Sequence, residues 1–351
     1  MNIKGLLSNE REPKITSYYF TLNDITVMLD YGTPLRKENI KNVDLIFISH
    51  SHLDHIYGLI NDCLKLRNDT RIIATRTTKR IILGLLSHNL VETDNVELKI
   101  MRLSKIEELL FDNEYDIFDL KVTLYQSGHT YGAAMILLEG SKKIFYTGDI
   151  NFYPKSKMLS YLLPDDIICD YLIIDGTNIQ RDDFKKQSLS HIKKNVSVYD
   201  KKFYINARPE KCVIIAKYLA QEVDDDRKIY YVSDLDWFLD ILVEEGYEPF
   251  DKLKIVVDKT NQYKKEAGIY LSSVLFKEFN NDFNIGLHIS MNDYINFLSH
   301  FNTSVKILVG HFFYKKLKEI EDMDLGYFLI KEGDNIVWYQ YLLHSLTIEL
   351  K

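Results

Sequence analysis

Apolar, β-branched runs that stop at Gly, Ser or Asp recur along the first third of the chain, and each predicts a strand. Lys14 to Thr21 is the first, Ile25-Thr26-Val27-Met28-Leu29 running into Asp30-Tyr31-Gly32 the second, and Val43-Asp44-Leu45-Ile46-Phe47-Ile48-Ser49 the third. Beyond His55 the spacing changes. Ile56, Leu59, Ile60, Cys63 and Leu64 fall on one helical face, so a helix is expected from Ile56 to Arg67. Two later strands, Val122 to Gln126 and Lys143 to Thr147, stop at Ser127-Gly128-His129 and Gly148-Asp149. Potential ligands thus recur at strand ends.

From about residue 180 the pattern becomes strand (Phe203 to Ile205), helix (Pro209 to Val223), strand (Ile229 to Val232), helix (Leu235 to Glu245) and strand (Leu253 to Val257). Such alternation predicts a small parallel sheet with crossover helices. No GxGxxG or GxxxxGK loop accompanies it, which argues against a nucleotide-cofactor domain. Strand-rich sequence returns from about residue 284, including Val305 to Gly310 before His311.

A length of 351 residues predicts two packed units, and 46% hydrophobic with 27% charged residues predicts a soluble globular chain. Cys63, Cys169 and Cys212 are too scattered for a disulfide framework and point to a reducing cytoplasm. No signal-peptide pattern and no bilayer-length apolar run is found, so no membrane partner is expected. The net charge of -7 argues against binding nucleic acid through a broad basic surface, while leaving room for a local basic cleft.

In His50-Ser51-His52 the imidazoles are two residues apart, so in an extended segment they face the same way and can share one ion. Asp54 and His55 follow as the chain turns, and His129 and Asp149 add to the set. Imidazole and carboxylate without thiolate suit zinc, or less often manganese or iron. Paired cations activate water as the attacking hydroxide and neutralise the oxygen under attack, which is chemistry for esters, amides or phosphodiesters.

These residues resemble the metallo-β-lactamase superfamily, whose signature of HxHxDH, then Gly-His, then Gly-Asp occurs here in order. The resemblance implies two divalent ions: one on His50, His52 and His129, another on Asp54 and His55, with Asp149 bridging. It also implies that Asp30 orients the histidine loop by hydrogen bonds, a turn aspartate being the other reading. Loss of Asp54 is expected to remove activity.

Ser127-Gly128-His129-Thr130-Tyr131-Gly132 and Tyr146-Thr147-Gly148-Asp149 look like the beta-CASP branch, whose members act on nucleic acid. Leu172-Ile173-Ile174-Asp175 matches that branch's acidic motif, with Asp175 assisting proton transfer. His311 matches the histidine that completes the second metal's ligands and tilts the expectation towards RNA processing rather than DNA. Arg208, beside Pro209 at a helix start, is the expected phosphate contact. The pattern departs at Met291, where the family has a histidine acid; His288 lies three residues earlier and stays open between a displaced acid and a packed strand residue.

The fold expected is an α/β class αββα metallo-β-lactamase sandwich, residues 1–179 and 284–351, interrupted by an inserted parallel α/β (beta-CASP) domain at 180–283. The function expected is metal-dependent phosphodiester hydrolysis, a probable ribonuclease activity. A lactonase- or thioesterase-like hydrolase and a non-catalytic nucleic-acid-binding subunit remain the alternatives. Oligomeric state is open, a homodimer included.

Overall fold

The computed structural model of the chain describes residues 2–7, 15–35, 40–151, 163, 167–177, 202–206, 209–222, 229–231, 236–247, 255–257, 268–272, 297, 300–301, 306–310, 328–332, 335–339 and 347–349. The chain divides into two compact units, residues 1–181 with 288–351 and residues 182–287.

The first unit opens with an antiparallel meander of β1 (Asn2–Leu7), β2 (Ile15–Leu22) and β3 (Ile25–Leu29). Strands β4 (Leu45–Phe47), β5 (Arg71–Ala74) and β6 (Glu107–Glu108) extend this sheet in parallel from β3. Alternation along the strands sorts the side chains. Val27, Leu29, Leu45 and Phe47 enter the core between the two sheets of the unit, whereas Met28 and Ile46 point to the opposite face. There they meet Ile56, Leu59 and Ile60 of α1 (Leu53–Asp62), Ile82 and Leu86 of α2 (Arg76–Ser87) and Leu103 of α3 (Val96–Leu103). Burial on both faces explains why these strands read as nearly unbroken apolar runs. Each such aliphatic side chain adds about 1.5–3 kcal/mol of transfer free energy.

The second sheet contains β7 (Glu114–Ile117), β8 (Leu120–Gln126), β9 (Ala134–Glu139), β10 (Lys143–Tyr146) and β11 (Tyr171–Asp175). Val122, Leu124, Ile136, Ile144 and Ile173 face the first sheet across the shared core. Phe145 points the other way, edge-on to Phe301 with ring centroids 5.2 Å apart.

The second unit is a four-stranded, all-parallel sheet of β12 (Lys202–Asn206), β13 (Ile229–Tyr231), β14 (Ile255–Val257) and β15 (Gly268–Ser272), ordered β12-β15-β13-β14. Helices α4 (Pro209–Glu222) and α5 (Asp236–Glu244) fall between its strands in sequence. The strand–helix alternation predicted this unit's parallel sheet, but not β15, which enters between β12 and β13.

After it the chain re-enters the first unit. Strand β16 (Lys306–Gly310) lies parallel to β11, with Gly310 in register with Asp175. Strands β17 (Phe328–Glu332) and β18 (Asn335–Tyr339) continue that sheet, and β19 (Thr347–Glu349) pairs with β1 in the other. Among the described residues no helix is long and apolar enough to cross a membrane.

Helix α1 differs from expectation, spanning 53–62 rather than 56–67. His52, with extended φ of -67° and ψ of 142°, is its N-cap, and Asp54 sits in its first turn. A carboxylate there is favoured by the helix's positive end. Asp54 and His55 therefore stand on a rigid helical turn rather than in a loop.

Candidate metal centre

The site is assembled where strands β3, β4, β8, β10 and β11 end. Asp30 directly follows β3 and holds a left-handed backbone, φ 55°, with its N–H donated to the Phe47 carbonyl at 2.8 Å. Beyond it, Tyr31 N–H donates to the His55 carbonyl at 2.8 Å, and the Tyr31 carbonyl accepts from Leu59 N–H at 2.9 Å. The end of β3 is thereby strapped to α1. Gly32 makes this approach possible: a Cβ there would lie 1.7 Å from the Asp54 carbonyl oxygen.

Asp30 is fully buried and gathers four donors. Its Oδ1 accepts Ser49 N–H at 2.6 Å, and its Oδ2 accepts Ser49 Oγ–H at 2.6 Å, His55 Nδ1–H at 2.7 Å and Tyr146 Oη–H at 2.7 Å. Hydrogen bonds to a charged acceptor are worth about 1.5–3 kcal/mol each. With Nδ1 holding its proton on Asp30, His55 turns Nε2 towards Asp149 Oδ1, 3.4 Å away, and Asp54 Oδ2, 4.0 Å away.

Donor atoms of His50, His52, His129 and Asp149 lie within 4.8 Å of one another. His50 Nε2 is 3.0 Å from His52 Nδ1, and His129 Nε2 is 3.2 Å from the same atom. Asp149 Oδ2 lies 3.7 Å from His50 Nε2 and 3.4 Å from His129 Nε2. A tetrahedral ion with bonds of about 2.0–2.1 Å has donor–donor edges of about 3.3 Å, so these spacings fit one ion at the centre of the four. Donor chemistry agrees with the geometry, since neutral imidazoles and a carboxylate suit a divalent cation of the zinc type.

Two further loops are pinned around the cluster. The carbonyl of Gly132, three residues beyond His129, accepts from Thr75 Oγ at 2.7 Å and Thr78 Oγ at 3.0 Å at the start of α2. Asn151 N–H donates to the Ser127 carbonyl at 2.9 Å, tying the Asp149 loop to the His129 loop. Asp175, at the end of β11, accepts Thr177 N–H and Oγ–H on Oδ1 at 2.9 and 2.6 Å, and Ile150 N–H on Oδ2 at 3.3 Å. It thus braces the residue next to Asp149.

Carboxylates gather in the site: Asp30, Asp54, Asp149 and Asp175 are all buried, and a buried carboxylate is stabilised by hydrogen bonds or by a nearby cation. Burial would lower the pKa of His55, but the negative charges of Asp149, Asp30 and Asp54 outweigh it and raise that pKa well above the usual imidazole value. His50 moves the other way, lowered by burial first and then by the neighbouring imidazoles of His55 and His52. Tyr18 is pushed far up by burial and then by Asp175, Asp30 and Asp149, and Tyr146 by burial and Asp30, so both phenols stay protonated.

Of the residues singled out in the sequence, Asp30, His50, His52, Asp54, His55, His129 and Asp149 come together here, with Asp175 bonded beside them. Arg208, His288 and His311 lie outside the described residues; β16 ends at Gly310, one residue before His311. Sequence reasoning missed Ser49, Tyr146, Thr75 and Thr78. Ser49 and Tyr146 adjoin the HxHxDH and Gly-Asp motifs and were detectable as their polar flanks, whereas nothing local marks Thr75 and Thr78.

The family model for the Anti-Pycsar protein Apyc1 matches residues 16–175, the span that carries every described residue of this cluster. The chain is 33% identical over 192 residues to a probable RNase MJ4 of Methanocaldococcus jannaschii, covering 48% of this chain and 44% of the relative. It is 30% identical over 213 residues to cleavage and polyadenylation specificity factor 73 of Drosophila melanogaster, covering 55% and 31%. To endoribonuclease YSH1 of Yarrowia lipolytica it is 28% identical over 200 residues, covering 50% and 24%. The chain thus spans less than half the length of these relatives. A crystal structure of a protein of unknown function from Enterococcus faecalis V583 shares the fold, with a TM-score of 0.53 at 15% identity over 92% of this chain and 91% of that one.

Two facing sheets with a histidine–aspartate cluster at their strand ends give the chain the fold of the metallo-β-lactamase superfamily, the fold of the relatives it resembles. The curated relatives that match about half of the chain are members of its beta-CASP branch, and the chain is similar to them over that span.

Proposed function

We propose that the protein is a metal-dependent phosphodiesterase of the beta-CASP type that cleaves RNA. The convergence of His50 Nε2, His52 Nδ1, His129 Nε2 and Asp149 Oδ2 on one point carries this reading. Relatives named as ribonucleases support RNA as the substrate. His50, His52, His129 and Asp149 would hold one divalent ion, and Asp54, His55 and His311 the other, with Asp149 serving both. Zinc suits the set best. Bound there, such ions make water a nucleophile at neutral pH and offset charge on the phosphate.

The remaining work falls to this chain's own groups. Asp30 holds His55 in one tautomer, and Asp175 fixes the backbone beside Asp149 while serving the leaving oxygen as proton relay, with His288 a second candidate acid. Arg208, one residue before α4, would contact a backbone phosphate, as anions favour helix N-termini. Residues 182–287 fill the role of the beta-CASP insert, and its presence disfavours a small-molecule hydrolase. Three buried cysteine thiols support a reducing cytoplasm as the setting.

Metal-loaded protein incubated with end-labelled RNA and DNA of the same sequence tests the proposal. Shortened RNA with DNA left largely intact is expected. Intact RNA alongside hydrolysis of a lactone or thioester, or preferential cleavage of DNA, would overturn it.

A further inference from the structure

Proton counting around Asp30 fixes more than His55. As a carboxylate Asp30 can only accept, and Ser49 Oγ lies 2.6 Å from its Oδ2, so the single hydroxyl hydrogen of Ser49 points at Asp30. The same Oγ lies 2.9 Å from His50 Nδ1. With its hydrogen already directed elsewhere, Ser49 has only lone pairs to offer that nitrogen. Nδ1 of His50 must therefore carry the ring proton, which leaves Nε2 as a bare lone pair facing His52, His129 and Asp149.

We infer that Ser49 is a positioning residue whose hydroxyl, oriented by Asp30, locks His50 in the tautomer that can bind a divalent metal through Nε2. The inference rests on the reading of His50 as a metal ligand and adds the group that prepares it. Asp30 then sets two of the motif's three imidazoles, His55 directly and His50 through one hydroxyl. Ser49 itself is fully enclosed, its N–H donated to Asp30 Oδ1 at 2.6 Å and its carbonyl accepting Ala134 N–H at 2.9 Å. The Oγ position is thus fixed by the backbone on both sides.

A second observation points to the same serine. Gly148, immediately before Asp149, has φ 53°, and a Cβ built on it would lie 2.6 Å from Ser49 Cβ and 2.7 Å from Ser49 Oγ. The glycine of the Gly-Asp motif therefore keeps open the space in which the Ser49 hydroxyl stands. One motif supplies the hydroxyl and the other leaves room for it.

The test compares wild type, Ser49→Ala and Ser49→Thr by two readouts. Long-range proton–nitrogen NMR of metal-free protein reports the His50 tautomer, and competition of Zn²⁺ against a chromophoric chelator reports affinity. Wild type should show the Nδ1–H form. Ser49→Ala should mix the tautomers and weaken Zn²⁺ binding by about 10- to 100-fold, the usual effect of removing a partner behind a metal ligand. Ser49→Thr, which keeps the hydroxyl, should restore the Nδ1–H form. An unchanged tautomer together with unchanged affinity in a folded Ser49→Ala protein overturns the inference while leaving the metal site standing. Failure of wild type to bind Zn²⁺ instead refutes the metal reading, and the tautomer still decides the role of Ser49.

Discussion

Asp30 Oδ2 accepts the Nδ1 proton of His55 at 2.7 Å, a bond between the end of β3 and the first turn of α1. One buried carboxylate thereby sets the orientation of a candidate ligand on another element. Asparagine tolerates the left-handed backbone of position 30 but carries no charge and turns an NH₂ towards one set of donors. Asp30→Asn is therefore expected to fold with reduced stability and to lose about 10- to 100-fold in metal affinity. Chelator competition and thermal unfolding of the same preparation measure both.

Gly32 carries the strap that reaches α1. A Cβ there would lie 1.7 Å from the Asp54 carbonyl oxygen, helix backbone that cannot swing aside as a side chain can, and 2.7 Å from Thr16 Oγ. Gly32→Ala should cost about 1–3 kcal/mol or more, as overpacking does, and should displace Asp54. Denaturant unfolding reads the first effect and metal stoichiometry the second.

Thr75 and Thr78 both donate to the Gly132 carbonyl behind His129. Removing both hydroxyls as Thr75→Val with Thr78→Val leaves a buried acceptor short of its donors, at a cost of about 1–3 kcal/mol. Unfolding free energy should fall by that amount, and metal affinity should fall with it because the His129 loop loosens. A double variant as stable as wild type would show that the clamp contributes nothing.

Burial pushes the Cys63 thiol from 9.0 to about 11 and the Cys169 thiol from 9.0 to about 12. The folded state holds these protons more tightly than the unfolded chain does, so their contribution to stability is complete below pH 9 and is lost as pH rises through 11 to 12. Melting temperature should accordingly decline above pH 9. At pH 8, a thiol reagent should label none of the three cysteines in native protein and all of them after unfolding.

The sequence carried the site further than it carried the fold around it. HxHxDH, Gly-His and Gly-Asp are local patterns, and strands that end on them bring their side chains to one place. Apolar spacing begins only at Ile56 and so places the start of α1 three residues late, while the helix begins after an extended His52 with an acidic first turn. Strand β15 escaped because its partners, β12 and β13, are distant in sequence, and pairing of that kind leaves no periodic mark. Thr75 and Thr78 serve a carbonyl more than fifty residues away, and Ser49 gains its role only once Asp30 and Gly148 close around it.

Titration of metal-free protein with Zn²⁺, following bound metal and cleavage of labelled RNA together, tests the central claim most directly. Cleavage should be absent without metal, appear as the cluster fills, and stay absent in Asp54→Ala even when the His50–His52–His129 site is loaded. RNA cleavage by the metal-free protein, or undiminished cleavage by Asp54→Ala, would contradict the account.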